Sequence, residues 1–307
     1  MPQTKVYWLQ ALTPLHVGAG AGLGFIDLPV MREKATDWPV VPGSAVKGVL
    51  ADWCDAPAGP KREANALKSA AFGTVDKDSP NDNANAGALV LTDARLVCLP
   101  VRSLYGTFAW VTCKPVLDRL ARDLKTAGET GVPAAFPPSG QALLATGTRL
   151  SGTGEKVYLG ELDFQKASPA EATAWAEYLK RALFPLDSDW QAEFQKRFAI
   201  IPEDSFNFFS KTATEVNARI KMNPNTRTVD KEHGALWYEE ALPAETVLAG
   251  LAWCDRIPAA RTGVSEAEVI GLVQSATLQI GGKATVGRGQ VRLVAGAVHA
   301  APAGGAR

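Results

Sequence analysis

The sequence predicts an α+β fold of β-α-β-β-α-β order, the ferredoxin-like arrangement, elaborated by insertions. Three observations carry this expectation. Runs with a two-residue apolar period interleave with runs of helical period, and one long alternating segment occupies 214–240. Glycine-rich loops also adjoin strand-like runs near both ends, VGAGAGLGFID at 17–27 and IGGKATVGRGQVRL at 280–293.

The elements follow in order. Residues 5–17 set Tyr7, Leu9, Ala11, Leu15 and Val17 on one face against Trp8, Gln10 and His16 on the other, the pattern of a strand buried on one side with its second face available. In VVPGSAVKGVLADWC (40–54), Ser44 reads as an N-cap, with Val46, Val49, Leu50 and Trp53 at helical spacing after it. An alanine-rich helical stretch (62–71) ends at Gly73, and a polar stretch (76–87) reads as a mobile loop before strands at 87–100 and 106–113.

From about 115 to 200 the pattern is mainly helical: Ser168-Pro169-Ala170-Glu171 reads as a capping box, followed by Trp175, Leu179, Leu183, Trp190 and Phe194. Over 214–240, Val216, Ala218, Ile220 and Met222 alternate with Asn217, Arg219 and Lys221, turn at Asn223-Pro224-Asn225, and return through Arg227 to Tyr238. This is an extended hairpin with a basic face. A strand at 246–254, a helix opened by Ser265 with Glu268 as its capping partner, and a strand at 289–295 complete the order. One elaborated domain over 1–307 accounts for the whole, with a helical insertion at 115–200 and a hairpin insertion at 203–245.

Composition narrows the classes of function. Lys+Arg and Asp+Glu are both 32, so nucleic-acid binding would have to come from local patches. Four scattered cysteines without a C-x-x-C pair exclude a zinc ribbon and read as reduced core residues. The N-terminus lacks an apolar signal core and no membrane-length apolar run occurs, so a cytoplasmic protein with no membrane partner is expected. The run at 18–24 is G-x-G-x-G-x-G and leads into Asp27-Leu28-Pro29 without opening a helix, so the dinucleotide fingerprint fails; no P-loop, nucleophile elbow or His-x-x-x-His pair is present.

The terminal loop carries the strongest chemical signal. Gly281, Gly282 and Gly287 alternate with Lys283, Thr285 and Arg288, and no acid lies between 281 and 294, so exposed amides and two cations are set for a phosphate chain. Ser44 and Lys47, beside the positive end of a helix, form a second candidate anion site. In the hairpin, Arg219, Lys221 and Arg227 would track a backbone while Met222 near the tip wedges between bases; a solvated hairpin or a protein–protein arm fits the same residues. Trp237 and Tyr238 read as core or interface aromatics.

LTPLHVGAGAGLGFIDLP, PVVPGSAVKG, LVLTDARLVCLPVRSLYGTFAWVT, ARIKMNPNTRTVDKEHGALWYEEALP and IGGKATVGRGQVRL, in this order, resemble the RAMP superfamily and most of all the repeated backbone subunit of type III-B (Cmr-type) CRISPR effector complexes. The resemblance covers nearly the whole chain and is weakest at 125–200. It implies an RNA-recognition-motif-like palm, copies stacked helically along a guide RNA with other CRISPR effector subunits, and a hairpin thumb that interrupts the guide–target duplex. It further implies cutting of complementary target RNA with a divalent metal, Mg2+ or Mn2+, through the aspartate after the first strand, here Asp27. Taken alone, Asp27 also reads as a loop-capping residue, and His16 as either a general acid–base or a hydrogen-bonded strand residue. A non-catalytic guide-binding scaffold is the alternative function.

Overall fold

The computed structural model describes residues 4–22, 24–54, 65–74, 85–134, 136, 140–222, 227, 229, 236–257 and 263–295. In chain order these form β1 (Thr4–Ala11), β2 (Val40–Val41), α1 (Gly43–Trp53), α2 (Asn65–Phe72), β3 (Gly73–Thr74), β4 (Asn85–Ala86), β5 (Leu89–Leu91), β6 (Ala94–Arg102) and β7 (Phe108–Thr112). Then come α3 (Lys114–Thr126), β8 (Ala142–Leu144), β9 (Lys156–Leu159), β10 (Leu162–Ala167), α4 (Ala170–Leu183), α5 (Ser188–Arg197) and β11 (Phe198–Ile200). The chain continues through α6 (Glu203–Thr212), β12 (Glu215–Ile220), β13 (Leu236–Ala241), β14 (Val247–Cys254), α7 (Glu266–Gly271), β15 (Ala276–Gln279) and β16 (Gln290–Ala295). Most of the polar stretch at 76–87 and the hairpin turn at 223–225 lie outside the described residues.

The palm is present as the β-α-β-β-α-β order predicts. Its four strands lie side by side as β16-β1-β14-β6, so fourth, first, third and second, and every neighbouring pair is antiparallel. That spatial order belongs to the ferredoxin-like arrangement, with α1 and α7 as the two crossovers.

One expectation fails at the first strand. β1 is buried on both faces: Tyr7, Leu9 and Ala11 pack with Val46 and Leu50 of α1 and Ile270 of α7, while Val6 and Trp8 pack with Leu117 and Leu120 of α3 and Trp175 and Leu179 of α4. The alternation is real, but the inserted helices cover the face that sequence left open. Trp8 is an apolar surface of the size that drives such coverage, about 1.5–3 kcal/mol for a large side chain removed from water.

The insert differs from expectation in another way. Besides α3, α4 and α5, the 115–200 span contributes β8, β9, β10 and β11, which extend the palm sheet beyond β7 in the order β7-β11-β8-β10-β9. Strands of three to six residues are too short to show a clear period, and β11 pairs parallel to β7, a partner far upstream. At the start of α4, Pro169 occupies the N-cap and accepts no side-chain bond, so Ser168 lies one residue too far out to cap. The Ser265–Glu268 capping box does form.

Ser44 is likewise not the N-cap of α1. Pro42 is, and the first amide of the helix, on Gly43, donates instead to Asp93 Oδ1 at 2.9 Å. A Cβ at residue 43 would sit 2.2 Å from the Leu91 carbonyl oxygen, so the β5–β6 corner approaches the helix where only glycine fits. Gly43→Ala is therefore expected to cost about 2 kcal/mol or more, read as a lower midpoint in urea unfolding, because backbone cannot yield as a side chain does.

Candidate nucleic-acid interface

The hairpin forms as predicted, with Val216 opposite Glu240, Ala218 opposite Tyr238 and Arg219 opposite Trp237. Its returning strand is also the anchor for the glycine-rich loop that follows β1. Leu28 bridges β13 in parallel: its amide donates to the Tyr238 carbonyl at 3.0 Å and its carbonyl accepts from the Glu240 amide at 3.0 Å. Asp27 Oδ2 accepts from the Tyr238 amide at 2.8 Å, and Phe25 lays its ring over that of Tyr238. Glu240 completes the seam, taking the Val30 amide at 2.9 Å and pairing with Arg32 at 2.5 Å. The exposed Asp27 carboxylate is thus fixed at the root of the hairpin, where a segment leaving the palm meets it.

His16 is buried beneath this seam, with Nδ1 donating to the Glu240 carbonyl at 2.6 Å. A carbonyl only accepts, so Nδ1 carries a proton in this bond. The His16 carbonyl in turn accepts the Gly282 amide at 2.9 Å. Gly281 makes this approach possible: its φ is +78°, and a Cβ there would lie 2.3 Å from the same carbonyl oxygen. Gly281→Ala is expected to displace the terminal loop from His16, costing about 2–3 kcal/mol and weakening RNA binding, measurable together by thermal melting and filter binding.

The cations of the terminal loop are arranged in a way the local sequence conceals. Gly281, Gly282, Thr285 and Gly287 are exposed and Lys283 sits at φ +67°, but Lys283 Nζ reaches Glu239 Oε1 at 2.8 Å. Arg219 Nε lies 3.3 Å and the buried Arg288 Nη1 3.7 Å from Glu239 Oε2, and the Trp237 indole donates to Oε1 at 2.8 Å. The acid missing from 281–294 is supplied by the hairpin. Glu239 is only 2% exposed, and burial by itself would push its carboxyl up; the hydrogen bonds from Lys283 and Trp237, the charge of Lys283 and the bond from Arg219 overcome that and hold it at about 2. Three cations against one carboxylate leave the cluster net positive, which keeps it suited to a phosphate.

The remaining candidates lie apart. Ser44 is exposed on the first turn of α1, while Lys47 donates to the Leu89 carbonyl at 2.7 Å and partial burial lowers its pKa. α1 packs on β5 and β15, and β15 runs directly into the 280–289 loop. Lys221, Met222 and Arg227 are exposed towards the far end of the hairpin, where Met222 bridges Val229. Sequence reasoning passed over Glu239, Phe25 and Asp93. The adjacent Glu239-Glu240 pair at the end of the hairpin was the available signal for the first.

Among the described residues no group of three or more His, Cys, Asp or Glu side chains gathers as a metal site. A magnesium ion does not require one, since it keeps most of its waters and takes one or two carboxylates plus substrate phosphate. Asp27 fits that limited role: exposed, with Oδ2 engaged by Tyr238.

Comparison with known proteins shows the family and the fold. The RAMP superfamily profile matches residues 8–292. The CRISPR system Cmr endoribonuclease Cmr4 of Pyrococcus furiosus is 33% identical over 291 residues, covering 93% of both chains. The crystal structure of oligomeric Cmr4 from Pyrococcus furiosus superposes with a TM-score of 0.71 at 26% identity, over 96% of this chain and 98% of that one. A chain of the type III-B Cmr-beta complex, seen by cryo-electron microscopy bound to cognate target RNA, shares the fold with a TM-score of 0.68 at 16% identity, over 95% and 96%. No helix among the described residues is long and apolar enough to cross a membrane. The chain belongs to the RAMP superfamily, and within it to the Cmr4 family.

Proposed function

We propose that this chain is the repeated backbone subunit of a type III-B CRISPR RNA-guided interference complex, working in the cytoplasm. It binds guide RNA, stacks with further copies of itself and other effector subunits, and cuts complementary target RNA at regular intervals through Asp27. The observation that carries this reading is the Asp27 carboxylate held by the Tyr238 amide at the root of the hairpin, beside a net-positive cluster of Arg219, Lys283 and Arg288. An arm that interrupts a duplex and a carboxylate at its base place strand distortion and chemistry together.

Asp27 would hold Mg2+ or Mn2+, and the bound ion would supply charge neutralisation at the phosphate. The chain's own residues orient. Tyr238 fixes one carboxylate oxygen, Glu240 ties Val30 and Arg32 behind it, and His16 locks the terminal loop to β13 through its imidazole and carbonyl. Ser44, Lys47, Gly281, Gly282, Thr285 and Gly287 would meet guide phosphates from the palm side, and Lys221, Met222 and Arg227 would reach the duplex from the arm.

The scaffold reading without cutting also has support, because Asp27 already has a loop-fastening bond and is in no group of three or more His, Cys, Asp or Glu side chains among the described residues. Incubating the assembled complex with end-labelled target RNA, in magnesium and in EDTA, separates the two. Products at regular spacing that require the metal are expected; intact target under both conditions would leave the scaffold.

A further inference from the structure

We propose that Phe25, backed by Tyr238, is a stacking platform for one unstacked RNA base and so positions the adjoining phosphodiester against Asp27. The proposal rests on the cleavage reading above.

Phe25 is 76% exposed, although full burial of such a ring is worth about 1.5–3 kcal/mol. The fold gains little from a phenylalanine here. Its ring is nevertheless held in place, with its centroid 4.8 Å from that of Tyr238 and the planes 31° apart. The same Tyr238 donates its amide to Asp27 Oδ2, so the ring support and the carboxylate are registered by a single residue. Only Ile26 separates Phe25 from Asp27 in the chain. On the other side, a Cβ at Gly24 would meet nothing of the described chain within 4 Å, which leaves the backbone there open to a ligand.

A nucleobase suits this surface. Every base offers a π-face, so stacking needs no sequence preference and contributes about 1–3 kcal/mol per base. A base drawn out of the helical stack also releases its backbone to take the geometry that in-line attack requires. The other occupant would be an apolar patch of a neighbouring subunit. Tyr238 does share its face of the hairpin with Ala218 and with the exposed Val216, Ile220 and Leu236. RNA is favoured because the residue that supports the Phe25 ring also holds the Asp27 carboxylate, through its amide at 2.8 Å.

The test uses the assembled complex with target RNAs carrying 2-aminopurine at successive positions around one cut, in EDTA so that the RNA stays whole. Wild type is expected to alter the fluorescence at one position flanking the cut. Phe25→Ala and Phe25→Leu should lose that signal and, in magnesium, slow single-turnover cleavage by about 10-fold or more with target affinity unchanged; Phe25→Trp should restore both. Unchanged fluorescence and rate in Phe25→Ala, or a Phe25→Leu variant equal to wild type, overturns the platform while leaving Asp27 chemistry in place. A Phe25→Ala chain that no longer assembles assigns the ring to a protein contact and overturns it as well. A wild-type complex that does not cut removes the parent reading and this one together.

Discussion

In a complex assembled with Asp27→Ala, metal-dependent cutting of target RNA is expected to fall by at least about 100-fold, with guide and target binding within about twofold of wild type. The carboxylate is exposed and bonded on one oxygen by the Tyr238 amide. Its removal leaves that amide open to water, a loss that costs at most about 1 kcal/mol. The fold therefore survives the change, and lost cutting can be read as lost chemistry. Asp27→Asn sharpens the result, because the amide oxygen can still accept from Tyr238 while the charge is gone. If the negative charge serves the metal, both variants are equally inactive. If Asn cuts like wild type, Asp27 fastens the loop and the reaction belongs to other groups.

Removing the Glu239 charge is expected to produce a substantial, pH-dependent loss of stability. The carboxylate lies under Lys283, Arg219 and Arg288, and taking it away leaves three cations facing one another around a buried position. Breaking a buried pair from one side costs about 3–5 kcal/mol. Lys283 and Arg219 are more than a third exposed and relax into water, so about 2–3 kcal/mol is expected for Glu239→Ala.

The pH dependence follows from the same site. The carboxyl titrates at about 2 in the fold against 4.5 as a free group, so its contribution is full above about pH 4.5 and is lost as pH falls through about 2. A shift of that size corresponds to about 3 kcal/mol before screening is considered. Urea unfolding of wild type and Glu239→Gln should accordingly differ most near neutral pH and converge towards pH 2. A difference that stays constant across that window would show that Glu239 acts by packing and not by charge.

The corrections share a cause. Ser44 and Ser168 each precede a helical pattern and carry the right hydroxyl, yet a proline at 42 and another at 169 set the helix starts, and Asp93, 50 residues downstream of Gly43, takes the first amide of α1. Local spacing gives a helix but not its cap when the cap comes from a distant loop. Lys283 and Arg288 have no acid within their own segment. Their counter-charge sits on β13, more than forty residues upstream, so no window of sequence around them contains it.

The sequence by itself determined the succession of strands and helices along the chain, the hairpin and the helix at Ser265, which rest on apolar period and turn residues, local properties carried by neighbouring residues. The strand order within the palm and the family came from the resemblance of its motifs. Tertiary structure alone decided that β1 is covered on both faces, that short strands of the insert prolong the sheet, that Phe25 rests on Tyr238 beside Asp27, and that Glu239 gathers three cations. Each of these depends on a contact between segments far apart in the chain, where burial and opposite charge choose the partner; a periodic pattern shows that a face must be covered or a charge balanced without showing by which residue.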